Sequence, residues 1–381
     1  MSRTGFILSI GFCMLLPGSL RAQRMFPYPS AELHDVKFKF TEPHPKATAT
    51  LRTVNGRMVG FPRTPTQINS LVFSHDGKLL AAGKEYGRLV VWDVASNQIA
   101  FTIDTGFNGV GKVAISPDNQ FIAAAGTSGK TIKIWHIPDG RLTNTFDNAT
   151  ANVLGLIYAP TANLLITSSL ATNVYDTASG QRVRYFSDER DPVLSADGST
   201  LLTIAYPGDP LTMAYSGIQP TIANTGIVLR STRDWTIQKR LPRLTESERP
   251  TFLDLASGQF LFEDITDNHV FVVARTSDGQ MDPDARLANL PRDFLAFSDF
   301  AAADSHSGLV FGHSSGQLWA LNLKTGKVCV SGQLFSDSGA LSPDGSLLAG
   351  AIEPETPSDN QKMAGVDIWK TADLAKACHM Q

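Results

Sequence analysis

Between residues 68 and 147 the apolar and polar positions follow one order twice. The first copy alternates through Ile68-Asn69-Ser70-Leu71-Val72-Phe73 and turns at Ser74-His75-Asp76-Gly77. It then runs apolar through residues 79–82 and ends on Leu89-Val90-Val91-Trp92-Asp93. The second passes through Val113-Ala114-Ile115, turns at Ser116-Pro117-Asp118-Asn119, runs apolar through 121–125 and ends on Ile132-Lys133-Ile134-Trp135-His136. Ser74 to Ser116 is 42 residues and Trp92 to Trp135 is 43. Short apolar runs predict strands covered on both sides. Asp-Gly and Asp-Asn supply the positive φ of tight hairpins. Each copy therefore predicts a small antiparallel sheet with two apolar faces.

Such a sheet cannot bury both faces alone, and stacking copies around an axis gives every face a neighbour. A fixed period of this length predicts a β-propeller. Turn anchors recur at Ser74, Ser116, Ala159, Ser195, Leu255, Ser305 and Ser342. The expected fold is all-β, a seven-bladed β-propeller of four-stranded antiparallel blades over residues 67–381, with eight blades as the alternative. The fourth copy is expected to end its third strand at Leu229, after an insertion over 206–226; the last carries an insertion over 353–364. Residues 23–66 read as an amino-terminal extension. Part of 34–61 is expected to close the ring as a strand, with a partial extra blade as the alternative.

The turn and the Trp-Asp strand end resemble the WD40-repeat family, most specifically in the first, second and last copies. In that family a Gly-His pair, an Asp before the third strand, a Ser or Thr and the Trp form a buried hydrogen-bond network. Here Tyr86 precedes Gly87 and Ser128 precedes Gly129 where the Asp would stand, and no Gly-His opens a repeat. The network is expected to be incomplete, leaving stability to apolar packing. The Ser-Pro-Asp-Gly turns are similar to those of exported bacterial propellers of the TolB-like or YncE-like kind. The resemblance implies a rigid platform that binds a protein or peptide partner and does no chemistry.

Charge and composition narrow the function. Charged residues are 18% and the net charge is −3, which offers no basic field for nucleic acid. Residues 1–22 read as a signal peptide. Arg3 precedes an apolar run over 5–16, and Pro17-Gly18 leads to a cleavage site at Ala22. The run is short for a permanent membrane anchor, so a periplasmic or secreted protein without a transmembrane segment is expected. Cys329 and Cys378 then remain, and both are expected on outer strands of neighbouring blades, as free thiols or as a bridge.

No His-Glu-x-x-His pair or phosphate loop points to an enzyme. Both insertions join second to third strands, so they should rise from one face. Tyr206, Met213 and Tyr215 in the first, and Glu355 and Asp359 in the second, are the candidate partner contacts. Around the mouth of that face the pattern places Asn69, Lys112, Asn152, Asp191, Arg249, Asp293 and Asp337 at the start of each first strand. Asp191, Asp293 and Asp337 could hold calcium, as in lactonase-type hydrolases. Lys112 and Arg249 oppose a cation there. No cofactor is expected on the platform reading.

Overall fold

A computed structural model describes residues 49–52 and most of 67–377, with side chains through much of 67–242 and parts of 309–376. Residues 43–381 form one compact unit. Its first sheet is β2 (Ile68–Phe73), β3 (Leu79–Lys84), β4 (Arg88–Asp93) and β5 (Gln98–Asp104), hydrogen-bonded in sequence order. The second is β6 (Val110–Ile115), β7 (Phe121–Gly126), β8 (Thr131–His136) and β9 (Leu142–Asp147). The third is β10 (Gly155–Tyr158), β11 (Leu164–Ser168), β12 (Thr172–Asp176) and β13 (Arg182–Phe186). The fourth is β14 (Glu189–Leu194), β15 (Thr200–Ala205), β16 (Gly226–Ser231) and β17 (Ile237–Pro242).

The fifth sheet is β18 (Glu248–Asp254), β19 (Gln259–Asp264), β20 (Val270–Arg275) and β21 (Met281–Arg286). The sixth is β22 (Ala301–Asp304), β23 (Leu309–Ser314), β24 (Gln317–Asn322) and β25 (Val328–Val330). The last is β26 (Phe335–Leu341), β27 (Leu347–Ile352), β28 (Gly365–Lys370) and β1 (Ala49–Arg52), which pairs antiparallel with β28. One short helix, α1 (Thr371–Ala377), follows β28. The described residues thus make seven four-stranded antiparallel sheets, an all-β architecture of the propeller kind. The first strand of each sheet lies against the sheet before it, and β26 lies against β2, so the sheets close a cycle.

Packing follows from the two apolar faces of each sheet. Leu80, Ala82, Val90 and Trp92 pack against Ala349, Ala351, Val366 and Ile368 of the last sheet. Ala81, Leu89 and Val91 on the opposite face pack against Val110, Val113, Ile122 and Trp135 of the second. Trp92 and Trp135 therefore occupy equivalent places, each facing the preceding sheet, and Trp369 does the same against Leu309 and Phe311. The Trp92 side chain is fully buried, and its indole N–H finds no partner among the described residues. That is the expected gap in the network, and apolar contact holds the ring in its place.

Among the described residues the turn between first and second strands is one device used four times. Ser74 Oγ donates to Asp76 Oδ1 at 2.6 Å while accepting from Leu79 N at 2.9 Å, and Lys78 N donates to the same carboxylate. Ser116–Asp118, Ser195–Asp197 and Ser342–Asp344 repeat this with Phe121 N, Thr200 N and Leu347 N. All four serines are buried. The hydroxyl supplies the hydrogen bond that the reversing backbone lacks, and positive φ at Gly77, Asn119, Gly198 and Gly345 closes the turn.

Three expectations are corrected. The tryptophan position of the fourth sheet is Arg230, not Leu229: Arg230 pairs with Leu201 as Trp92 pairs with Leu80. The outer strand of the last sheet is β1, drawn from the amino-terminal side, whereas the chain after β28 enters α1. Cys329 lies on β25, opposite Ala320, and Cys378 lies outside the described residues. The rim positions are also out of step. A bulge adds Asn69 between Ile68 and Ser70 and Gly111 between Val110 and Lys112, so Lys112 matches Ser70, not Asn69. Asn152 precedes β10, and β22 begins at Ala301, well after Asp293.

Candidate partner-binding face

Both insertions join second to third strands, β15 to β16 and β27 to β28. Of their candidate contacts Tyr206 is described; Met213, Tyr215, Glu355 and Asp359 lie outside the described residues. The same face carries the β3–β4 hairpin and the connections between sheets.

At the first sheet, Tyr86 and Gly87 hold φ values of 60° and 70°, the mirror-image turn that suits a two-residue hairpin. A Cβ on Gly87 would stand 2.0 Å from Phe107 O, so glycine is required there. The Gly87 carbonyl accepts from both Thr105 N and Thr105 Oγ1, at 2.9 and 2.6 Å. Lys133 Nζ donates to Thr105 O at 2.6 Å and lies 4.8 Å from the Phe107 ring centroid. Tyr86 is left 45% exposed above this frame. Beneath it, burial and then the Arg88 charge pull the Lys84 amine down to about 8.

Neighbouring sheets are tied along the rim by side chains bonding backbone. Asn69 Nδ2 donates to Val110 O at 3.1 Å, and Gly129 N donates to Asn152 Oδ1 at 2.9 Å. Leu154, just beyond, is 63% exposed. Between the third and fourth sheets Arg190 Nε donates to Leu170 O at 3.0 Å, and its guanidinium sits 4.9 Å from the Tyr206 ring centroid. Tyr206 N donates to Asp188 O, which fixes the root of the insertion.

Inside the fourth sheet lies a buried ion pair. Glu189 is 2% exposed; its carboxylate accepts from Arg230 Nε and Nη2 and from Thr203 Oγ1, and its carbonyl accepts from Thr172 Oγ1. Arg230 also donates to Trp235 O and stacks 4.2 Å from the Phe186 ring centroid. Arg230 and Thr203 together satisfy both carboxylate oxygens, which fixes the pair within the sheet.

Of the three rim carboxylates, one has a described side chain. Asp191 is exposed with φ 52°, Asp293 lies outside the described residues, and Asp337 belongs to β26 with its side chain undescribed. Among the described residues no group of three His, Cys, Asp or Glu could hold a metal. The chain also contains the spacing Gly312-His313-Ser314-Ser315-Gly316, which the residue patterns above did not single out. A nucleophile elbow needs a strand-to-helix turn. Here Ser314 ends β23 and pairs with Gln317 of β24, a hairpin. Tyr86 and Leu154 were missed too, although a large residue before Gly87 in a two-residue turn is a readable signal for exposure.

Residues 58–93 and 100–136 match the family described as WD domain, G-beta repeat. An uncharacterized WD repeat-containing protein of Synechocystis is 24% identical over 42% of this chain and 46% of its own length. A B-type cell cycle switch protein of Medicago truncatula is 25% identical over 48% of this chain and 38% of its own. A COMPASS component of Saccharomyces cerevisiae is 30% identical over 32% and 39%. The chain spans less than half the length of these relatives. The matches support the WD40 family for the repeats that carry them. Among the described residues no helix is long and apolar enough to cross a membrane.

Proposed function

We propose that the chain is an exported, non-catalytic platform that captures a protein or peptide partner on the face bearing the connections between second and third strands. The observation that carries this reading is a rim whose backbone is fixed by cross-sheet hydrogen bonds while Tyr86 and Leu154 stay exposed on it. Rigid display of apolar side chains lowers the ordering cost of binding. WD repeats generally serve as protein-interaction scaffolds, and one relative is named a COMPASS component. The insertion rooted at Tyr206 supplies Met213 and Tyr215 to the partner; Glu355 and Asp359 supply carboxylates from the last sheet. The platform works without a cofactor. Arg3, the apolar run over 5–16 and Ala22 favour a periplasmic or secreted location.

Deleting 208–224 tests the assignment. The variant is expected to keep the melting temperature of the full chain while losing the proteins captured from the native envelope fraction. Capture of the same proteins by the deletion variant would move the partner to another surface.

A further inference from the structure

The clefts between outer strands are not alike. Between the second and third sheets, Asn144 on β9 donates from Nδ2 to Thr177 O and Ala178 O at 3.0 and 3.1 Å, closing the cleft with a polar staple. Gly180 in the turn beyond β12 leaves room for it: a Cβ there would meet Asn144 at 3.3 Å.

The cleft between the third and fourth sheets is built differently at both positions. Arg184 matches Asn144, since it pairs with Val174 as Asn144 pairs with Ile134. It is exposed, and its Nη1 donates to the carbonyl of its own neighbour, Val183, at 2.7 Å. Trp235 stands where Gly180 stands, each donating its N–H to the carbonyl four residues earlier and each at positive φ. Its ring centroid lies 6.2 Å from that of Phe186. The staple is missing, and an aromatic floor fills the base instead.

The opposite wall comes from β17. Ile237 pairs with Arg230, which faces Phe186, and Arg240 pairs with Val228. Cross-strand partners share a face, so both side chains turn towards the third sheet. Ile237 is 40% exposed and Arg240 is exposed, as is Arg233 in the turn between β16 and β17. Two acids of the fourth sheet are engaged, Glu189 by Arg230 and Asp234 by Thr236 N and Oγ1. The cleft therefore sets two exposed guanidinium groups, those of Arg184 and Arg240, over an apolar floor, with Arg233 exposed in the adjoining turn, in a chain of net charge −3.

We propose that the cleft between β13 and β17 binds an acidic peptide with apolar side chains between its carboxylates. Guanidinium forks match carboxylates bidentately, and exposed Ile237 above the Phe186–Trp235 floor suits an aliphatic or aromatic side chain. A nucleic acid would want a longer basic track than three arginines. This surface is separate from the face carrying Tyr206, and the proposal stands without that reading.

The test uses the full chain and a short fluorescein-labelled peptide alternating glutamate and leucine, read by anisotropy. Saturable binding is expected; Arg184→Glu and Arg240→Glu should each weaken it about tenfold or more, with melting temperatures held. Deleting 208–224 should leave it unchanged, which separates this site from the platform face. No saturation, equal binding by the charge-reversed variants, equal binding of a lysine–leucine peptide, or tighter binding of an oligonucleotide of the same charge would each overturn it. So would a mass in solution showing that a second copy of the chain already covers the cleft.

Discussion

At Arg230 and Trp235 a single sheet has exchanged two residue types. The position that holds Trp92, Trp135 and Trp369 elsewhere holds an arginine, and the turn position that holds Gly140 and Gly180 holds a tryptophan. The aromatic ring still faces the preceding sheet, but it arrives from five residues further along. Trp235 accepts φ 64° to do so, a conformation costing roughly 1–3 kcal/mol for a bulky side chain. Burial of the ring against Phe186 offsets that strain. Glu189 neutralises the arginine that took the strand position. A buried charge left alone is far costlier than a buried pair, so Glu189→Leu and Arg230→Met should each lose about 3–5 kcal/mol in urea unfolding. The double variant should recover most of that loss. If the double variant loses the sum of the singles, the two side chains do not act as a pair.

At the scale of one element, the serine turn explains why some sheets are readable and others are not. Its signals, Ser342, Asp344, Gly345 and the N–H of Leu347, lie within six residues and depend on nothing distant. Hydrogen bonds from Ser342 first, then from the Ser346 backbone, hold the Asp344 carboxyl below its ordinary value of 3.8; Asp76 and Asp197 are lowered with their serines as the first cause. A carboxyl with a depressed folded value adds stability above about pH 3.8 and loses it as pH falls through the folded value. Ser342→Ala removes that stabilising donor and leaves Leu347 N without its acceptor, a cost of about 1–2 kcal/mol at neutral pH. The gap in melting temperature between variant and full chain should narrow as the buffer is taken from neutral to about pH 3. A gap constant with pH would mean that the hydroxyl serves the backbone alone.

The same locality sets the limit of what the residues announce. The Trp-to-Arg exchange erased the strand-end signal of the fourth sheet, so its register was misplaced by one residue, from Arg230 to Leu229. The rim drifted because a bulge inserts Asn69 and Gly111 into their strands, a decision made by backbone geometry and not by residue pattern. Exposed Tyr86 was legible in principle, whereas the cleft of Arg184 and Arg240 was not. It depends on two bulges, between Val174 and Tyr175 and between Leu229 and Arg230, that decide which face each side chain takes.

Across the whole unit, the cycle of sheets ends on a strand drawn from the far end of the chain. Ala49 pairs with Ile368 and Arg52 with Gly365, so four residues near the amino terminus cover the outer edge of the last sheet. Without them β28 would present unpaired N–H and C=O groups beside the buried Val366, Ile368 and Trp369, an edge of the kind that templates association. The pairing also joins segments more than 300 residues apart, so closing it costs more chain entropy than the local hairpin pairings do. Removing residues 1–52 should therefore lower the melting temperature and shift the mass measured by light scattering upward, as exposed β28 edges pair between molecules. An unchanged melting temperature with an unchanged mass would show that the ring is held by the interlocking apolar faces of its sheets and that β1 is dispensable to it.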